Sequence, residues 1–251
     1  MNSASSFLTV DLQCKTYPNG VCAAQDLRFQ VAKSEFVAIV APSGAGKSTL
    51  LNILSGLDAD FHGTIDYPAS STLSFMFQEP RLMPWLTLEA NIRLILDAPS
   101  RQNDTTRFTR MDSLLTVLGL NDFRQTYPNQ LSGGMKRRAA LVRAFVTRPD
   151  LLLMDEPFQS LDEPTAQGLR QLLLQLWAEN SPTVLFVTHS LNEALLLADR
   201  ILFLSARPAQ VILDYTVPLA RPRPTEAHHL QHLQNQLLQQ HPALLSGVLA
   251  C

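Results

Sequence analysis

A layered α/β fold is predicted by three features of this 251-residue chain. Short, continuously apolar runs at 36–40, 151–154 and 183–187 have the make-up of strands buried on both faces of a parallel sheet. Helical patterns lie between them, at 48–55 and 166–177, and alternating strands and helices build a sheet covered by helices. At the N-terminus, residues 7–12 and 27–31 instead alternate apolar and polar around a Pro18-Asn19-Gly20 turn. That pattern belongs to antiparallel strands with one wet face.

Residues 80–147 interrupt the alternation. Pro80 and Pro84 flank a turn, and helical periods then run through 90–96, 111–118 and 133–146, with Gly119 and Pro149 as stop signals. A mostly helical insert within the α/β core is the expectation. Past residue 217 the chain opens with Pro218, Pro222 and Pro224 and continues as a Leu/Gln/His-rich helix. The expected division is one domain over 1–217, its helical part at about 80–147, and a helical tail over 218–251.

Composition narrows the classes. Apolar residues at 46% and charged residues at 17% suffice for a core and exclude a disordered chain. Twenty Lys+Arg against 22 Asp+Glu leave a net charge of −2, which argues against a broad basic surface, so no nucleic-acid partner is expected. No apolar run approaches the roughly 18–20 residues that span a bilayer. Residues 1–6 lack a cationic lead into an apolar stretch, and Cys14, Cys22 and Cys251 lack metal-ligand spacing. A soluble protein of a reducing compartment is expected.

The run at 36–40 leads straight into Ala41-Pro42-Ser43-Gly44-Ala45-Gly46-Lys47-Ser48-Thr49 and then a helix. This matches the phosphate-loop pattern G-x-x-x-x-G-K-[ST] at every fixed position but the first, where Ala41 replaces glycine. The chemistry needs backbone N–H groups aimed at phosphate oxygens at a helix N-terminus, whose dipole favours anions. Gly44 and Gly46 permit that approach, Lys47 reaches the β/γ-phosphates, and the Ser48 hydroxyl suits Mg²⁺. Ala41 costs about 1–2 kcal/mol if its φ is positive and little otherwise.

The run at 151–154 ends in Asp155 and Glu156, adjacent acids where a parallel sheet faces its ligand crevice. Asp155 suits Mg²⁺, and Glu156 can hold and deprotonate an attacking water. The run at 183–187 ends in Thr188 and His189, which is read as touching the γ-phosphate. Ser190 with Glu193 three residues on forms a capping box for the next helix. Ser132-Gly133-Gly134 before a basic helix makes a second anion-binding helix N-terminus, more than one nucleotide needs unless it serves a partner's nucleotide.

Taken together these motifs resemble the ATP-binding cassette (ABC) transporter ATPase subunits, over roughly residues 7 to 215. The phosphate loop spans 41–49, the glutamine loop is at Gln78, and the signature is Leu131-Ser132-Gly133-Gly134-Met135. The strand acids are Asp155 and Glu156, the D-loop is Ser160-Leu161-Asp162, and the switch histidine is His189. The resemblance implies a phosphate-loop NTPase core of the RecA-like kind, with an N-terminal antiparallel β subdomain and an inserted α-helical subdomain. It implies ATP and Mg²⁺ as cofactors, sandwiched in a head-to-tail homodimer. Lys47 and Ser48 of one copy and Ser132, Gly133 and Gly134 of the other, with Met135 beside them, would hold one triphosphate. Gln78 would complete the Mg²⁺ and water environment, Asp162 would link the two sites, and Tyr17 resembles the aromatic that stacks on adenine.

A narrower resemblance, to the nitrate/sulfonate/taurine importer ATPases, rests on residues 77–85, Met135, and Ala198-Asp199-Arg200-Ile201 with Arg207-Pro208. It implies membrane permease subunits and a solute-binding protein as partners, and a peripheral place on the cytoplasmic face of the inner membrane. Departures from the pattern are Ala41, Ser34 where glycine usually precedes Glu35, and Gln159 where a small residue usually precedes the D-loop. Lys47, Asp155, Glu156 and His189 all remain. Two other readings stay open on sequence alone: a soluble ABC ATPase unconnected with transport, and a weakly hydrolysing regulatory nucleotide binder, for which Ala41 and Gln159 speak. Met83 and Trp85 fit equally a packed helical insert or a groove for a permease helix. His228, His229 and His232 are read as a solvated helix face.

Overall fold

The computed structural model describes residues 6–98, 104–221, 223 and 228–248. The 1–5 segment, Pro222, Pro224 and Cys251 used above lie outside the described residues, as does the side chain of His228. The chain forms two compact units, one of Met1–Ser71, Leu153–Glu156 and Thr183–Cys251, the other of Thr72–Leu152 and Pro157–Pro182.

In the first unit, β1 (Ser6–Thr16) and β2 (Cys22–Ala32) pair antiparallel, with Val10 opposite Phe29 and Leu12 opposite Leu27. Their alternating burial follows from the period-2 pattern of the sequence. The strand β4 (His62–Asp66) adds to the other edge of β1, giving the order β2-β1-β4. Its His-Gly-Thr-Ile-Asp run is nearly all exposed and has no apolar signature.

The second sheet centres on β3 (Phe36–Val40), every residue of which is buried. It lies parallel between β7 (Thr183–Thr188) and β8 (Arg200–Leu204), and β9 (Val211–Thr216) pairs antiparallel with β8. Two of the expected buried strands, β7 and β6 (Leu151–Asp155), are buried throughout. The Phe36 and Phe186 rings meet edge to face, 5.6 Å between centroids, on neighbouring strands. The helix α1 (Lys47–Leu54) follows β3, and α6 (Leu191–Leu197) follows β7. Of the expected capping box, Ser190 makes its half by accepting from the Glu193 N–H at 3.3 Å, whereas the Ser190 N–H donates to Thr188 Oγ1 at 3.0 Å. The Glu193 carboxylate accepts from the Thr188 hydroxyl at 2.6 Å, which fastens the turn after β7.

The second unit contains β5 (Leu73–Met76) and the helices α2 (Leu88–Leu96), α3 (Arg107–Val117), α4 (Gly133–Phe145) and α5 (Glu163–Asn180). Gly119, at φ 64°, ends α3 in the left-handed form, and the Leu120 N–H bonds the Leu115 carbonyl at 2.8 Å. The last helix, α7 (His228–Gln240), returns to the first unit. Among the described residues no helix is long and apolar enough to cross a membrane.

Candidate functional site

Strand register assembles the first group of residues. Val40 of β3 is opposite Thr188 of β7, so the chain leaves the sheet at one edge as Ala41 and as His189. The Glu156 N–H donates to the Val187 carbonyl at 3.0 Å, which brings the end of β6 to the same edge. There the loop turns through Gly44 (φ 78°) and Gly46 (φ 101°), the latter capping α1. A Cβ on Gly46 would stand 2.9 Å from the Ala23 carbonyl oxygen, so glycine is required by space as well as by backbone. Ala41 does not adopt a left-handed backbone, so the departure from glycine carries no such strain. Ser34 does, at φ 59°, which explains why glycine suits the position before Glu35.

Lys47 is buried and donates to the carbonyls of Ala41 (3.0 Å) and Pro42 (3.1 Å). Its Nζ is also 3.7 Å from Glu156 Oε1, while Glu156 Oε2 is 2.9 Å from His189 Nδ1. One carboxylate therefore has a cation on one oxygen and an imidazole on the other. The Glu156 side chain is 13% exposed and that of His189 is 56% exposed, so the imidazole is the solvent-facing member. Glu156 holds this position with φ 41°, an uncommon backbone for a non-glycine residue. Asp155 is buried at the strand end, and Ser48 is exposed in the first turn of α1. Tyr17 bonds through its hydroxyl to Thr49 Oγ1 at 2.9 Å, and Lys15 Nζ lies 4.8 Å from its ring centroid. Burial pulls the Lys15 pKa down, but its bonds to Asp58 and Asp60 carry it above the ordinary lysine value.

Sequence reasoning missed Arg207 as a member of this site. Its Nε (3.1 Å) and Nη2 (2.7 Å) both donate to the Gly44 carbonyl, fastening the tip of the loop. The Arg207-Pro208 pair was legible only as a family mark, because nothing local to it points at residue 44.

The other predicted residues belong to the second unit. Ser132 caps α4, its hydroxyl accepting from the Met135 N–H at 3.2 Å, and Ser132 and Gly133 are exposed. A Cβ on Gly134 would stand 2.7 Å from Thr165 Cγ2. Asp162 caps α5 by accepting from the Thr165 N–H (3.2 Å) and hydroxyl (3.0 Å), which hold its carboxyl below the usual carboxylate range. Gln78 is exposed, and its Nε2 donates to Gln159 Oε1. The buried Arg137 donates to the carbonyls of Phe77 (3.5 Å) and Gln159 (3.2 Å). Burial pushes the Arg137 pKa down, and Glu79 opposes it. Trp85 is 70% exposed, so packing within its own unit does not account for it.

Comparison with known proteins decides the family. The family model described as "ABC transporter" matches residues 24–159. A relative named aliphatic sulfonates import ATP-binding protein SsuB, from Bacillus anthracis, is 38% identical over 222 residues, covering 86% of this chain and 87% of that protein. This chain belongs to the ABC transporter family. A second relative, aliphatic sulfonates import ATP-binding protein SsuB 1 of Pseudomonas savastanoi pv. phaseolicola, is 40% identical over 219 residues, 87% of this chain and 90% of that one. Among solved structures, a dimeric ATP-binding cassette, MJ0796, in a post-hydrolysis state bound to ADP and Pi is 30% identical with a TM-score of 0.71. The match covers 85% of this chain and all of that one. Members of the family bind ATP and hydrolyse it to power transport, and this ABC chain is an ATPase of that kind. The expected core, a phosphate-loop NTPase fold with an antiparallel β part, is the fold observed.

Proposed function

We propose that this ABC ATPase drives import of a small sulfonate or a related oxyanion, as a homodimer on the cytoplasmic face of the membrane that carries its permease subunits. A solute-binding protein serves the same system. The relatives named as sulfonate import subunits, matched over most of both chains, support import over a soluble ATPase unconnected with transport. The dimeric cassette among the structural neighbours supports the homodimer. The division into an ATPase domain over 1–217, with a helical part at about 80–147 and a tail over 218–251, belongs to the same reading. The three helices α2, α3 and α4 within 88–145 support its helical part.

The observation that carries hydrolysis is Glu156 bonded at once toward Lys47 and His189 beside the phosphate loop. Glu156 is the general base: it orients a water toward the γ-phosphorus and takes its proton as the bond to ADP breaks. His189 steadies that carboxylate and meets the transferred phosphoryl group, and Lys47 exchanges its loop carbonyls for phosphate oxygens. The backbone of 41–46 and the first turn of α1, with Thr49, cradle the triphosphate, and Tyr17 faces the adenine. Ser132, Gly133, Gly134 and Met135 present their helix N-terminus to the nucleotide of the second copy, and Asp162 links the two sites. The Ser48 hydroxyl, the Asp155 carboxylate and the Gln78 amide oxygen are hard oxygen donors of the sort Mg²⁺ takes, so these residues fit that ion. When bound with ATP, Mg²⁺ supplies neutralisation of phosphate charge.

Glu156→Gln tests the assignment. Phosphate release is expected to fall by about 10²–10⁴-fold while ATP still converts monomers to dimers in light scattering. Wild-type turnover would remove Glu156 as base, and monomers at saturating ATP would remove the shared site. Substrate class is read by growth: a strain lacking this chain is expected to fail on an alkanesulfonate as sole sulfur source yet grow on sulfate. Growth on both overturns the sulfonate assignment.

A further inference from the structure

We infer that Lys15 is a positioning residue for Tyr17, holding its ring as a fixed platform for the base of the nucleotide. The inference rests on the role proposed above for Tyr17 and goes beyond it. From Leu8 to Leu12 every second residue of β1 is buried, and strict alternation would next bury Cys14. Instead the register against β4 slips between Leu12 and Cys14, and the next buried residue is Lys15, 2% exposed. A bulge of this kind re-aims the side chains that follow it. Gly63 of β4 permits it, for at φ 132° a Cβ there would stand 2.1 Å from the Asp11 carbonyl oxygen. The buried ammonium donates to Asp58 Oδ1 at 3.0 Å, to Asp60 Oδ2 at 3.3 Å and to the Asp60 carbonyl. Thus fixed, its Nζ lies over the Tyr17 ring, 4.8 Å from the centroid, where a cation attracts the negative face of the π-system. The far end of the ring is tied by the bond between its hydroxyl and Thr49 Oγ1. Lys15 is buried and Tyr17 only half-buried, so the cation takes the covered side of the ring and a base has the other. All of these residues belong to one compact unit. An apolar side chain would fill the place of Lys15 at no greater cost, since replacing a buried ion pair by apolar groups is often neutral or stabilising. Holding the ring accounts for a charge kept at this depth.

The test removes the cation together with its less exposed partner, as Lys15→Met with Asp58→Asn in the full chain. No carboxylate is then stranded below the surface, because the Asp60 side chain is 83% exposed. Net charge is unchanged, so the long-range attraction for an anionic nucleotide is preserved. ATP affinity is measured by equilibrium titration, with Tyr17 present and in a Tyr17→Ala background. With Tyr17 present, the double variant is expected to bind ATP about three- to tenfold more weakly, because binding must then order a looser ring. In the Tyr17→Ala background the same two changes are expected to shift ATP affinity by less than about twofold. The melting temperature is expected to stay level or rise, the opposite of what a merely structural lysine would give. If Tyr17→Ala leaves ATP affinity unchanged, the role of Tyr17 falls and this inference with it. Suppose instead that Tyr17→Ala weakens ATP binding. The positioning role of Lys15 alone is then overturned if the double variant has no effect, costs the same in both backgrounds, or lowers the melting temperature.

Discussion

The phosphate-loop region and the signature region are both helix N-termini with glycines at or beside the first turn, yet they are held in different ways. Around Lys47 the fixing groups are ionisable side chains from the ends of three separate strands: the buried Lys47 after β3, the mostly buried Glu156 after β6 and the solvent-facing His189 after β7. Around Ser132 the fixing groups are helix caps within a few residues of each other, and the serine and first glycine face solvent. The first arrangement sets a geometry before any nucleotide arrives. The second leaves exposed donors for a surface that its own unit does not supply, as the proposed dimer requires.

The sharpest way to break this comparison is to add one methyl group to each loop. Gly46→Ala forces Cβ to within 2.9 Å of a backbone oxygen at φ 101°, and ATP binding by the isolated chain is expected to fall at least a hundredfold by equilibrium titration. Gly134→Ala puts Cβ 2.7 Å from Cγ2 of Thr165, a β-branched side chain whose hydroxyl Asp162 holds, so the start of α4 must shift; ATP binding by the isolated chain is expected to survive within a few-fold while ATP-dependent dimers weaken. Equal losses in the two variants would erase the distinction.

Arg137→Met probes the buried tie of the second unit. Removing a guanidinium that serves two carbonyls is expected to cost about 2–3 kcal/mol in denaturant unfolding, with no change in ATP affinity. Ser34→Gly acts in the opposite sense: it relieves left-handed strain at φ 59° and is expected to stabilise the chain by about 0.5–1 kcal/mol. The smallest effect concerns the Asp162 cap. Its carboxyl is held below the ordinary value, so the cap is at full strength at neutral pH and is lost as pH falls through the folded-state pKa. Protection of the Thr165 amide, its exchange rate relative to the intrinsic rate at the same pH, is expected to fall there, and not in Asp162→Asn. Unchanged protection would show that the cap contributes nothing to the order of the loop.

Much of the site could be read from local patterns. The Gly-x-Gly-Lys-Ser-Thr run, the Asp155-Glu156 pair after a buried strand and the Ser132 cap each announce themselves within a few residues. Strands β4 and β5 did not: the first is a polar edge and the second only four residues long. Strand β8 carried a usable signal in the apolar quartet 201–204, which its place directly after a short helix obscured. Arg207 at Gly44 and Gln159 at Gln78 join residues 163 and 81 positions apart, and no periodicity or motif reports such a pair.

The buried strands, the helix starts and the chemical inventory follow from the chain alone, because hydrophobic period and capping chemistry act over a few residues. That one carboxylate meets both lysine and histidine, and that Ala41 is unstrained, were decided by tertiary structure. Parallel register at Val40 and Thr188 and the folding-back of distant loops set those distances, and both arise only when the sheet is assembled.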